Sequence, residues 1–219
     1  MKALFVAGTG TDLGKTHVAC ALLRAARTRG ARVDAFKPVI SGFDPLSPET
    51  SDPARLAAAI GRPDAWAEVS PRRYAAPLAP NLAARMEGEV LAIEDLIADS
   101  RTWLAGREAD LVLVEGAGGV MSPLTDDATN LDLMVALNLP VLLVAGSYLG
   151  TVSHVLTALE AVRARALTVA AIVVSESLDA PDLTQTTEML KRFERRAPIL
   201  VAPRDLAWDG TSLADFIIA

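Results

Sequence analysis

The chain has 219 residues, 51% hydrophobic and 22% charged, a globular composition that excludes disordered and collagen-like classes. Its 21 Lys and Arg against 27 Asp and Glu leave a formal charge of −6, which speaks against non-specific nucleic-acid binding and against an anionic membrane surface. The single cysteine, Cys20, permits neither an intrachain disulfide nor a Cys-based zinc site, and a reducing compartment suits it. The apolar run at residues 3–7 is too short for a signal-peptide core, and no stretch reaches the ~20 apolar residues of a membrane span. The expectation is one cytoplasmic domain over residues 1–219, with no membrane and no nucleic acid as partner.

Along the chain, short apolar bursts alternate with amphipathic stretches. Strands are predicted at 3–7, 33–36, 111–114, 141–145 and 169–174, with a weaker one at 199–201. Helices are predicted from the residues after Gly14 to a stop at Gly30, and at 53–60, 93–104, 131–137, 151–166 and 183–193. Residues 43–52 and 70–81, rich in proline, read as long loops. Most of these strands are apolar at every position instead of alternating, which fits a parallel sheet covered on both faces. The predicted fold is therefore α/β, doubly wound, with helices on both faces and ligands beyond the carboxyl ends of the strands.

The strongest chemical signal follows the first strand: Gly8-Thr9-Gly10-Thr11-Asp12-Leu13-Gly14-Lys15-Thr16, opening into a helix that begins with His17 close by. Glycines let successive N–H groups converge on phosphate oxygens, and the helix N-terminus adds a favourable dipole. Lys15 supplies a point charge for β- and γ-phosphates, and the Thr16 hydroxyl a magnesium ligand. The pattern departs from a strict phosphate loop at Thr9, where glycine is usual; a glycine-rich helix cap is the bland alternative.

Lys37 follows the second strand, at the same rim as the phosphate loop. It could hold a second anion, although a lysine taken alone is more often a solvated surface group. Glu115 ends the third predicted strand and precedes Gly116-Ala117-Gly118-Gly119, a place where nucleotide-dependent folds hold magnesium. Asp52 before Pro53 reads first as a helix N-cap. Gly150-Thr151-Val152-Ser153 opens a helix after the fourth strand, so its free N–H groups could take a carboxylate or simply form an ordinary cap. His154 reads as an ordinary structural residue, and neither histidine has a Cys or His at metal-ligand spacing.

Together these motifs resemble the dethiobiotin synthetase family. The resemblance rests on Gly14-Lys15-Thr16, Lys37-Pro38-Val39 with Ser41-Gly42, Ser51-Asp52, Tyr74 with the 77–80 segment, Glu115-Gly116-Ala117-Gly118-Gly119, and Leu149-Gly150 with His154. It covers residues 1–175 in order, and the Glu-Gly-Ala-Gly-Gly run is its most specific part. The resemblance implies a homodimeric, magnesium-dependent ligase. Such an enzyme closes the cyclic urea of dethiobiotin from 7,8-diaminopelargonic acid, CO2 and ATP, through a carbamate and a mixed anhydride with phosphoric acid.

Carried over by position, Lys15, Lys37 and Thr11 become catalytic residues. Gly10 to His17, Glu115 and Ser175 contact nucleotide, and Thr16, Asp52 and Glu115 hold the metal. Thr11, Lys37, Ser41 and Gly118 position the carbamate and diamine, and Gly150 to Ser153 of a partner subunit take the distal carboxylate. Many members of the family read adenine with an Asn where this chain has Ser175, whose lone hydroxyl makes no paired contact. That departure predicts acceptance of nucleoside triphosphates other than ATP. The main rival from another class is a partition-type ATPase working as a nucleotide-dependent dimer switch; a cobyrinate amidase-type ligase would need a glutaminase domain for which the length leaves no room.

Overall fold

The computed structural model describes residues 1–178, 180–204 and 208–218. In chain order the first half comprises β1 (Lys2–Gly8), α1 (Lys15–Thr28), β2 (Val33–Phe36), β3 (Val39–Ser41), α2 (Asp52–Ala59), α3 (Trp66–Val69), β4 (Arg72–Tyr74), α4 (Pro80–Met86) and α5 (Ile93–Ala105). The second half comprises β5 (Leu111–Gly119), α6 (Asn130–Leu137), β6 (Val141–Gly146), α7 (Thr151–Ala164), β7 (Val169–Ser175), α8 (Leu183–Phe193), β8 (Ile199–Ala202) and α9 (Thr211–Ile218).

Six strands form one parallel sheet in the order β2-β5-β1-β6-β7-β8. Interior strands are largely apolar because both faces are covered, with Glu115 of β5 and Ser175 of β7 as buried polar exceptions. Phe5 and Ala7 pack into a core with α5, α6 and α7, while Leu4 and Val6 pack into another with α1, α2 and α9. Side chains alternate across a strand, so one run of five apolar residues serves two cores. The doubly wound α/β prediction holds.

Register then sets the positions that matter for chemistry. Val6 pairs with Glu115, and Phe36 with Val114, so the residues that follow β1 and β2 emerge beside the carboxylate of β5. Gly146 pairs with Ser175, and Ser175 with Ala202, on the other side of the sheet.

Several sequence expectations need correction. The third strand does not end at Glu115 but runs to Gly119, because the glycine run keeps pairing, with an irregularity between Val6 and Gly8. Residues 70–81 are not a continuous loop: β4 pairs in parallel with β3, and α4 starts at Pro80. Three-residue strands bounded by prolines carry no readable period. Residues 43–52 include a short 3-10 turn at Pro48–Thr50. The helix predicted at 151–166 stops at Ala164, since Ala166 takes a left-handed φ of 57°. Helix α9 buries Leu213, Ala214 and Ile217 against α1, a packing that the sequence left open. Among the described residues no helix is long and apolar enough to cross a membrane.

One buried ion pair fastens the β8 side. Arg163 of α7 donates two hydrogen bonds to Glu194, at 2.7 and 2.9 Å, and Glu194 Oε1 also accepts the Arg196 and Ala197 amides at 2.6 and 2.7 Å. The bidentate Arg163 contact, with these amides, holds the carboxyl down to about 2, from an ordinary 4.5. A depressed carboxylate stabilises the fold above its unfolded pKa, and the contribution disappears as pH falls through the folded value. Glu194→Gln is therefore expected to lower unfolding free energy at pH 7 by about 1–3 kcal/mol. In urea melts the gap to wild type should close as pH drops from about 4.5 towards about 2.

Candidate active site

The loop between β1 and α1 curls over the end of the central strands. Gly14 caps α1 with a φ of 88°, and a methyl group there would lie 2.6 Å from Ser175 Oγ, so both its conformation and its space require glycine. Asp12 also takes a left-handed φ, 57°, which Asp tolerates better than most residues. No side chain caps α1 and its first turn carries no acidic residue, which leaves its amides and dipole for an anion. Lys15 is buried and its Nζ donates to the Gly10 carbonyl at 3.2 Å. Burial, together with the charge of Lys37, lowers the Lys15 pKa; Glu115, Asp52 and Asp12 pull the other way.

At the centre lies a charged cluster. Lys37 Nζ is 2.6 Å from Glu115 Oε1 and 2.8 Å from Asp52 Oδ2, and the Thr16 hydroxyl donates to the same Oε1 at 2.7 Å. Lys37 is only 4% exposed and Glu115 1%, so the reading of Lys37 as a solvated surface lysine is overturned. Burial works against the charge of Lys37, but the Glu115 and Asp52 carboxylates outweigh it and hold the ammonium above its ordinary range. Burial likewise pushes Asp52 up, and Lys37 more than offsets it, so that carboxyl sits low. Nor is Asp52 the cap of α2: Ser51 caps it, accepting from the Ala54 amide, and Asp52 stands in the first turn, free to face Lys37.

A cleft of about 640 Å³ opens over this cluster. Residues 11–17, Lys37, Ser41, Asp52, Gly118 and Ser175 all line it, so the structure brings most of the expected site together. The position of a Cβ on Gly118 would be 3.6 Å from Thr11 Oγ1, which puts the Thr11 hydroxyl against the β5 glycine run. His17 is half-buried, 5.4 Å between ring centroids from Trp208, and burial with the charges of Arg55, Arg24 and Arg204 lowers its pKa. Gly150 to Ser153 do not line this cleft. They open α7 at a Gly150 N-cap with φ 96° and no side-chain cap, although the Thr151 hydroxyl is spent on the Gly146 carbonyl at 2.6 Å. His154 Nδ1 meets the exposed Tyr148 hydroxyl at 2.7 Å.

Several residues that shape the site escaped the sequence reading. Asn130 is fully buried and its Nδ2 donates to the carbonyls of Ala117 and Gly119 at 2.6 and 3.1 Å, bracing the glycine run. Gly116 is required there, because a methyl group would stand 2.6 Å from Asn130 Oδ1. The available signal was the Thr129-x-x-Asp132 capping box, which starts α6 at Asn130 and not at Leu131. Arg55, Glu176 and Arg204 also line the cleft, and Glu176 Oε2 accepts the Arg204 amide at 2.8 Å.

The donor set suits a small hard cation. Thr16, Asp52 and Glu115 offer only oxygens, and Glu115 Oε2 is buried with no hydrogen-bond partner. An unpaired buried carboxylate oxygen is costly unless something positive meets it.

The profile of the family described as AAA domain matches residues 2–203. The ATP-dependent dethiobiotin synthetase BioD of Caulobacter vibrioides is 72% identical over 219 residues, covering 100% of both chains. Its counterpart in Caulobacter sp. strain K31 is 62% identical, covering 100% of this chain and 95% of the relative. That of Anaeromyxobacter dehalogenans strain 2CP-1 is 42% identical over 99% and 97%. The MinC:MinD cell division protein complex of Aquifex aeolicus shares the fold alone, with a TM-score of 0.57 and 12% identity, over 100% of this chain and 93% of that one. A phosphate loop facing a buried lysine–carboxylate cluster, with relatives alike over the whole length, places the chain in the ATP-dependent dethiobiotin synthetase family, ligases of biotin biosynthesis.

Proposed function

We propose that the cleft over Lys37 closes the urea ring of dethiobiotin from 7,8-diaminopelargonic acid, CO2 and ATP, in one cytoplasmic ligase domain spanning residues 1–219. The observation that carries the residue roles is the buried Lys37 between Glu115 and Asp52, with only β5 between its strand and the one that leads into the phosphate loop. An amine of the substrate captures CO2 as a carbamate, and the carbamate oxygen attacks the γ-phosphorus of ATP, displacing ADP. The second amine then attacks the carbonyl of the mixed carbamic–phosphoric anhydride; phosphate leaves and the ring closes.

The first phosphoryl transfer brings anion to anion, so its barrier falls only where fixed cations sit at the accumulating charge. Lys15 and the uncapped start of α1, with the Gly10 to His17 backbone, hold the triphosphate. Lys37 neutralises the carbamate and the transferred phosphoryl group. The Thr11 hydroxyl, Ser41 and the Gly118 backbone orient carbamate and diamine, so that ring closure is an intramolecular step with a high effective concentration. Thr16, Asp52 and Glu115 would hold a magnesium ion, which would supply positive charge against the negative charge that accumulates during transfer.

Two features support a homodimer whose sites are shared. The α7 start has no side-chain cap and lies outside the protomer's own cleft; the Thr151 amide donates to the Tyr148 carbonyl at 3.1 Å, which leaves the Val152 and Ser153 amides of the Gly150 to Ser153 turn for a partner's substrate carboxylate. Beside it Leu149 is 89% exposed, an apolar side chain that a dimer contact would cover. At the other end of the cleft, Ser175 packs against Gly14 and offers no paired donor and acceptor for a base, which supports use of CTP, GTP or UTP beside ATP.

Lys15→Ala and Lys37→Ala should each lower dethiobiotin formation, followed by mass spectrometry, by ~30–1000-fold, or ~2–4 kcal/mol of transition-state stabilisation. Full activity in both would remove the assigned roles. In a competition assay the four nucleoside triphosphates should turn over at comparable rates; a hundredfold preference for ATP would show that some other group reads the base. Leu149→Asp should yield monomers in sedimentation experiments and a raised KM for the diamine, and an unchanged dimer would argue for a different interface.

A further inference from the structure

The oxygens that suit a divalent ion are already held by a cation of the chain itself. Lys37 Nζ contacts Glu115 Oε1 at 2.6 Å and Asp52 Oδ2 at 2.8 Å, and the Thr16 hydroxyl points at the same Oε1. Lys37 and Glu115 are nearly dry, their side chains 5% and 1% exposed, while the Asp52 side chain is 34% exposed. Magnesium is bound through oxygen, and each carboxylate keeps one oxygen off the lysine: Glu115 Oε2 is buried without a partner, and Asp52 Oδ1 lies 4.0 Å from Arg55. Two cations drawn to one pair of carboxylates in a poorly solvated setting repel each other far more than they would in water. Lys15 is no alternative holder of the carboxylates, since its Nζ is turned to the Gly10 carbonyl.

We propose that Lys37 is a resident counter-ion which the Asp52–Glu115 pair exchanges for magnesium. On metal entry the ammonium leaves the carboxylates and moves into the cleft it lines, about 640 Å³ in volume, where the reacting anions gather. The inference rests on the metal-site reading above, and goes beyond it in two ways. It explains how the buried Glu115 and the partly exposed Asp52 avoid standing unpaired when no metal is bound. It also makes the free ammonium that the carbamate needs a consequence of metal loading, so that the lysine is presented only to a site ready for transfer.

Two measurements without nucleotide test it. Calorimetric titration with magnesium chloride should show at least tenfold tighter binding to Lys37→Met than to wild type, with Lys37→Gln as a second variant should the first not fold. The chain has four lysines, Lys2, Lys15, Lys37 and Lys191, so reductive methylation followed by peptide mapping resolves each one in the wild-type protein. Lys37 should be protected without metal and become modified several-fold faster at saturating magnesium, while Lys2 and Lys191 stay unchanged. Equal magnesium affinity in wild type and variants, or unchanged protection of Lys37, would overturn the exchange while leaving the metal site standing. If Glu115→Gln binds magnesium as wild type does, the metal-site reading fails and the exchange falls with it.

Discussion

The arrangement of the site depends on one contact, the ammonium of Lys37 held between Glu115 and Asp52 inside the protein. A buried carboxylate is tolerated only with a partner, and Glu115 sits in the middle of a strand where water does not reach it. Each partner comes from a different element: Glu115 from β5, Lys37 from the end of β2, Asp52 from the first turn of α2, and Thr16 from α1. The charge cluster therefore fastens the sheet to both helices that flank the cleft.

The phosphate loop obeys a second constraint, that of space. Gly14 lies against Ser175, and the β5 glycine run passes close beneath Gly10 and is braced from behind by Asn130. Two backbones approach so closely that any side chain between them would separate the anion-binding amides from the acidic cluster. The glycines of this region thus serve proximity at least as much as backbone freedom.

Much of this was legible in the sequence, for identifiable reasons. The sheet could be read because strands covered on both faces are apolar at every position, as at Leu4 to Ala7 and Leu142 to Ala145. The phosphate loop could be read because Gly14-Lys15-Thr16 between a strand and a helix has few other physical uses. The burial of Lys37 was not legible, since its local sequence is that of any lysine after a strand; only the register of β2 on β5 brings it to Glu115. Asp52 looked like a cap because Ser51, one residue earlier, takes that role and leaves the Asp carboxylate to tertiary structure. Asn130 and the short β3–β4 pair depend on long-range contacts that no local period announces.

The strand order has a consequence for how such a site can diverge. The loop after β1 and the Glu115 carboxylate come from adjacent inner strands, β1 and β5, whose spacing is fixed by the ladder between them. The residues facing the other end of the cleft, Glu176, Ser177, Pro203 and Arg204, come from turns after β7 and β8 at the sheet's margin. The molecule is in this sense modular: its outer turns can change by mutation, while the inner ladder holds the phosphate loop and Glu115 at a fixed spacing.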